Sequence, residues 1–317
     1  MTDAAPRAHL PLGSGGEFDA IRAMLRVWGT NATGIGDDAA LLTVPAGESL
    51  VVSTDASFEG VHFRREWLTP REIGARAAAA ALSDLAAMAA TPIGLLLALG
   101  IPSNWRGELD ELARGVGELA AAAACPIVGG NVTRAGELSL TITVLGSSAR
   151  PLTRAGARPG DVLYVTGMLG GPGAALDAFL SGARPRDVER ARFAAPRPRL
   201  AEARWLVERD ATAAIDISDG LVADARHLAA ASAVRVALDV ASLPCIEGIS
   251  PERAASSGEE YELLVAVPPR ARVDVEAFSA RFGMPLTLVG HVSEGEGVSV
   301  DRSGDRVDLF FGHDHLS

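Results

Sequence analysis

A chain of 317 residues, 48% hydrophobic and 22% charged, is long enough for two folded domains and too apolar to be disordered. Its formal charge of −11 excludes the clustered cations that grip a phosphate backbone, so no nucleic-acid partner is expected. All 29 cations are arginine, which excludes Schiff-base chemistry and the lysine of a P-loop: if the protein handles phosphates, it must use arginine, backbone amides or bound metal.

In chain order, Phe18, Ile21, Leu25 and Trp28 recur at helical spacing, so an amphipathic helix is predicted over residues 17–28. GIGDDAALL, residues 34–42, sets Asp37 and Asp38 side by side at the expected lip of a strand. A short β-rich run over 50–53 delivers into Thr54 and Asp55, and an alanine-rich helix is expected over 71–90, stopped ahead of Pro92. A buried strand over 94–101, a helix over 108–124, a strand over 127–128 ending in Gly129-Gly130-Asn131, and a Thr-rich alternating strand over 138–146 close the first half. The charge-free run from Leu85 to Ile101 holds Pro92, Gly94 and Gly100 and is short for a bilayer span, so no membrane association is expected. No charged region followed by an apolar one opens the sequence, which leads to the expectation of a cytoplasmic protein. Cys125 and Cys245 lack metal-ligand spacing and read as inert core residues.

From 147 to 160 the sequence SSARPLTRAGARPG loses its apolar period and gains Pro, Gly and Arg. The domain boundary is placed there, giving 1–148 and 149–317. The second half restarts with a strand over 162–166, then TGMLGGPGAA (166–175) and a helix from Ala174. The glycine-rich stretch fits a phosphate cradle at a helix N-terminus and a structural turn equally well. A strand over 213–217 meets a helix beginning near Asp219, and more strands are expected over 235–238, 262–267 and 286–292. Strands and helices interleave in both halves, an α/β or α+β pattern in which helices cover each sheet on one side.

Acids recur where these elements meet loops: Asp37 and Asp38, Asp55 in STDASFEGVHF, Asp84 in LSDLAAM, and Asp216 with Asp219 in DISDGL. Gathered on one cleft, their oxygens suit hard cations such as Mg²⁺, without which they would repel one another. Taken singly they also fit ordinary roles. Gly-Asp-Asp makes turns, and Ser218 or Asp219 fits the N-cap of the following helix. Asp84 fits such a role poorly, because an unpaired carboxylate on an Ala/Leu helix face is costly.

GIGDDAALL, STDASFEGVHF, LSDLAAM, GGNVTR, LTRAGARPGD, DISDGL and SGEEYELL follow one another in an order and spacing that resembles the thiamine-monophosphate kinase family. That family lies in the superfamily of aminoimidazole ribonucleotide synthetase and selenophosphate synthetase. The resemblance implies an α+β, two-domain fold, each half a mixed sheet covered by helices, with an N-terminal domain for ATP, Mg²⁺ and dimerisation and a C-terminal domain completing the active site. It also implies a homodimer using ATP and several Mg²⁺ ions to turn thiamine monophosphate into thiamine diphosphate. Carried over, Asp38, Ser53, Thr54, Asp55, Asp84, Asn131, Asp216 and Asp219 would bind metal. Gly130, Asn131, Arg154 and Ser218 would surround the nucleotide, and His62 and Glu259 would face the thiamine phosphate. The segment 310–313 would approach the substrate. The acceptor phosphate is already ionised near neutral pH, so neither a general base nor a covalent nucleophile is expected. Direct in-line transfer follows, the protein supplying position and charge neutralisation.

Two positions depart from the family pattern. Asn131 replaces an aspartate, keeping a carbonyl oxygen but losing one negative charge, and Glu260 stands where aspartate is usual after Glu259. Two other readings stand beside the kinase: a divergent paralogue acting on another phosphorylated small molecule, favoured if the His62 and Glu259 region does not bind thiamine, and a non-catalytic nucleotide or thiamine-phosphate binding protein, for which Asn131 is the sequence support.

Overall fold

The computed structural model describes residues 8–271 and 273–302 and the backbone of 305–306. They form two compact units, one built from residues up to Leu85 with Ala90–Ala149, the other from Ala86–Ala89 with the residues from Arg150 onward.

The first unit runs α1 (Gly16–Trp28), β1 (Ser49–Phe58), α2 (Pro70–Ala87), β2 (Thr91–Ile101), α3 (Leu109–Ala122), β3 (Ile127–Arg134) and β4 (Ser139–Ser148). Its strands lie in the order β1-β4-β2-β3, antiparallel except for β2 with β3. On β4, Leu140, Ile142 and Val144 are buried while Thr141, Thr143 and Leu145 are partly exposed, so apolar side chains alternate onto one packed face. The alanines of α2 from Ala77 to Ala81 are all buried, small enough for close helix packing. Backbones also touch where α2 meets α3: a Cβ at Gly115 would stand 1.9 Å from the Arg71 carbonyl.

Two strands are longer than expected. β1 pairs with β4 along its whole length, Ser49 opposite Ser148 through Phe58 opposite Ser139, so Thr54 and Asp55 lie within the strand rather than beyond it. β3 likewise carries Gly129, Gly130 and Asn131 through its pairing with Leu96, Leu97 and Ala98. Backbone ladders are indifferent to polar side chains when one face of the sheet is open.

The second unit holds β5 (Val162–Thr166), α4 (Gly171–Leu180), α5 (Asp187–Ala194), α6 (Leu200–Val207), β6 (Ala213–Asp216), α7 (Leu221–Ser232), β7 (Arg235–Asp239), α8 (Pro251–Ala255), β8 (Leu263–Val267), α9 (Val275–Phe282), β9 (Leu286–Ser293), β10 (Gly297–Arg302) and β11 (Asp305–Arg306). Its sheet has the order β11-β10-β7-β9-β5-β8-β6, mixed because β7 and β10 run parallel. Here helices on one side only is not what forms. Leu264 and Ala266 of β8 join a core with Leu221, Val222, Ala225 and Leu228 of α7, whereas Leu263, Val265 and Val267 join a second core with Trp205, Leu206 and Phe278 of α6 and α9. Every residue of β8 is apolar and buried, the signature of a strand covered on both faces. No helix among the described residues is long and apolar enough to cross a membrane.

Candidate functional site

In the first unit, Asp37 and Asp38 sit in an exposed turn, the Asp38 N–H donating to Asp37 Oδ1 at 2.9 Å. No strand follows them. Residues 39–48 stay irregular, with Pro45 lacking the N–H a ladder needs and a turn donating from Glu48 to the Pro45 carbonyl.

Ser53 and Asp55, two apart on β1, share the face of their β4 partners Val144 and Ile142. Ser53 Oγ donates to Asp84 Oδ2 at 2.5 Å, which accounts for a carboxylate on the alanine-rich α2. Asp55 Oδ1 accepts the Ala56 N–H at 2.7 Å. Thr54 points to the opposite face, its hydroxyl 3.0 Å from that of Thr143. Ser53, Asp55 and Asp84 are thus brought to one side, and Thr54 is not.

Gly130 and Asn131 lie on β3, the far edge, with β4 and β2 between them and β1. Three strand spacings of roughly 4.8 Å put Asp55 and Asn131 on the order of 14 Å apart across the sheet, too far for both to touch one ion. Gly130 has φ 152°, and a Cβ there would stand 1.9 Å from the Leu97 carbonyl oxygen. Gly130→Ala is therefore expected to cost about 1–3 kcal/mol, read as a lower urea midpoint at unchanged m-value. His62 lies on the turn leaving β1, its Nδ1 accepting the Phe58 N–H at 3.2 Å, so a neutral ring carries its proton on Nε2.

In the second unit, DISDGL and SGEEYELL are joined by backbone pairing beyond the end of β6. The Ile217 N–H donates to the Glu262 carbonyl, the Tyr261 N–H to Ile217 and the Glu259 N–H to Ser218, at 2.7–2.8 Å. Ser218 and Glu259 are neighbours for that reason. Asp216 closes β6 and is 5% exposed. Neither Ser218 nor Asp219 caps α7, whose N-cap is Gly220 with no side-chain cap. Instead the N–H groups of both donate to Asp224 Oδ2, each at 3.1 Å.

Asp224, on the first turn of α7, is a candidate that the sequence reading missed, holding the Ser218–Asp219 backbone in place. Burial pushes its carboxyl up to about 8, and the charges of Asp216 and Asp219 add to the effect. The available signal was an acid among the apolar residues Leu221, Val222, Ala225 and Leu228. Arg154 stands apart: its carbonyl accepts from Ser232 at the far end of α7, roughly 16 Å along the helix axis from Leu221. The glycine-rich stretch resolves as structural, its Gly170 and Gly173 N–H groups donating to Glu260 and Ser257. The segment 310–313 lies outside the described residues.

Among the described residues, no three His, Cys, Asp or Glu side chains form a ready-made metal cage. The donors nonetheless fit Mg²⁺, which is typically held by one or two carboxylates together with waters and substrate phosphates rather than an all-protein cage. Mutual repulsion at Asp216, Asp219 and Asp224 is the electrostatic setting a hard cation relieves.

Residues 36–148 match the family model for the AIR synthase related protein N-terminal domain, and 158–303 match that for its C-terminal domain. The two matches define a protein of the AIR synthase related class. The chain is 37% identical over 302 residues to the thiamine-monophosphate kinase of Escherichia coli (strain K12), covering 90% of this chain and 92% of that one. The crystal structure of thiamine-monophosphate kinase from Stenotrophomonas maltophilia K279a superposes with TM-score 0.82 at 35% identity, covering 93% of this chain and 98% of that one. AaThiL complexed with AMPPCP and TMP gives 0.76 at 30% identity, with 94% and 97% covered. This chain belongs to the thiamine-monophosphate kinase family.

Proposed function

We propose that the protein transfers the γ-phosphoryl group of ATP to thiamine monophosphate, forming thiamine diphosphate and ADP. The observation that carries this reading is the similarity over more than nine-tenths of the length of AaThiL, a relative solved with AMPPCP and TMP. Ser53, Asp55 and Asp84 of the first unit, with Asp38 and Asn131 at other positions, and Asp216 and Asp219 of the second would hold Mg²⁺; Thr54 fits least, its hydroxyl turned to Thr143. Bound Mg²⁺ would neutralise phosphate charge in a chain with no lysine. Gly130, Asn131, Arg154 and Ser218 meet the nucleotide at separate points, and His62 and Glu259 face the thiamine phosphate. Transfer is direct and in line, with no covalent intermediate. Purified protein with Mg-ATP and thiamine monophosphate should give thiamine diphosphate and ADP in equal amounts; ligand binding without product rejects the reading.

Asn131 favours a second reading, a binding protein that does not turn over. If the chain is instead an active kinase with one weakened metal position, Asn131→Asp lowers the Mg²⁺ concentration for half-maximal activity by about tenfold. Turnover that appears only in the Asp variant establishes the binding protein.

We also propose a homodimer formed through the first unit's sheet. β1 is an edge strand with Leu50, Val52 and Phe58 41–54% exposed, an apolar edge that calls for cover. The double variant Leu50→Arg/Val52→Arg should sediment as a monomer, and an unchanged mass removes this interface.

A further inference from the structure

The turn that presents Glu259 is strained. Glu259 (φ 64°) and Tyr261 (φ 52°) both adopt the left-handed conformation, which carries a steric cost for any residue with a Cβ. Tyr261 donates its hydroxyl proton to Glu259 Oε2 at 2.7 Å, so one strained residue orients the carboxylate of the other. Between them Glu260 points inward, its side chain fully buried.

Glu260 Oε1 accepts from the Gly170 N–H at 2.6 Å and from Ser257 Oγ at 2.5 Å, two donors from different parts of the chain. Among the described residues its Oε2 has no hydrogen-bond partner, with Arg192 Nη2 at 3.7 Å. Burial pushes the Glu260 carboxyl up to about 8. A carboxyl desolvated this way is a poor means of filling space, since an apolar side chain would do so without an orphaned oxygen. Its reach is what distinguishes it: a side chain one methylene shorter would draw back by roughly 1.5 Å and lose hydrogen-bonding range to Gly170.

We propose that Glu260 is a positioning residue that ties the strained turn to the Gly170 end of α4 and so fixes the direction in which Glu259 meets the acceptor substrate. The proposal rests on the reading of Glu259 as a substrate-facing residue. It assigns Glu260 no contact with either substrate.

The test is steady-state kinetics on Glu260→Asp, Glu260→Gln, Glu259→Gln and the double variant Glu259→Gln/Glu260→Asp. Glu260→Asp should raise KM for thiamine monophosphate about tenfold while kcat and KM for ATP stay within about twofold. Glu260→Gln keeps the length and an accepting oxygen and should stay within about threefold of the parent. Because Glu260 acts through Glu259, the double variant should be no worse than Glu259→Gln alone. Independent, multiplying effects in the double variant, or losses spread over kcat and both KM values, would overturn the proposal. An unchanged KM in Glu259→Gln rejects the substrate assignment itself, an outcome read without reference to position 260. Should Glu260→Asp fail to fold, Ser257→Ala removes one of the two contacts, and an unchanged KM there also counts against the tether.

Discussion

Asp216→Asn is expected to lower kcat/KM for phosphoryl transfer by a factor on the order of 10²–10³ while leaving the metal-free protein at least as stable as its parent. Asparagine keeps the shape of the side chain and an oxygen at the end of β6, but removes the charge that a hard cation would pair with. That charge lies in a buried setting, where it adds to the burial that already raises Asp224. Removing it relieves like-charge repulsion, so activity and stability should move in opposite directions, as at sites that spend stability on function. Thermal denaturation with and without Mg²⁺ checks this beside the kinetics. Mg²⁺ should raise Tm in the parent and do so less in the variant. A fall in Tm that parallels the loss of rate would make Asp216 a structural residue.

Glu262→Ala should have the largest effect on stability, about 3–5 kcal/mol. The Glu262 carboxylate is fully enclosed and accepts from Arg199 Nε at 2.7 Å, Arg199 Nη2 at 2.5 Å, Arg192 Nη2 at 2.8 Å and Thr166 Oγ1 at 2.7 Å. Burial works against the Arg199 charge, and Glu262, with a smaller contribution from Glu202, more than offsets it, so the net shift of that guanidinium is upward. With Glu262 gone, a buried guanidinium loses its principal partner, whereas Arg199→Leu leaves Glu262 still bonded to Arg192 and Thr166. The expected order of loss is therefore Glu262→Ala above Arg199→Leu, read from chemical denaturation midpoints. An alanine variant within 1 kcal/mol of the parent would show that the cluster relaxes or admits water.

How far such features were legible in the sequence depended on whether one element or several had to be known. Val162–Thr166 forms over the predicted residues because a short apolar run lies between Asp161 and Gly167. α5, α6 and α9 went unread: DVERARFA mixes charge and alanine without a clear apolar stripe, and its burial is set by packing against α4. The carboxylates themselves were visible, but their grouping was not. That Ser53 and Asp55 face Asp84 while Thr54 faces Thr143 follows from the true length of β1, and that Asn131 lies on the opposite edge follows only from strand order. Asp224 was hidden by its position inside a helix, where an acid looks like part of a solvated face until the burial of its neighbours is known.

The alternation along β1 also governs how this gene can change length. Removing or adding one residue between Ser49 and Phe58 would turn Ser53 and Asp55 outward on one side of the change and bring Thr54 to their place, undoing the Asp84 partnership in a single step. Substitutions there act one side chain at a time, whereas a single-codon insertion or deletion reverses the parity of a whole strand segment. The irregular stretch 39–48 just before it has no parity to keep, so length variation among related chains should collect there and be absent from the ten residues that follow.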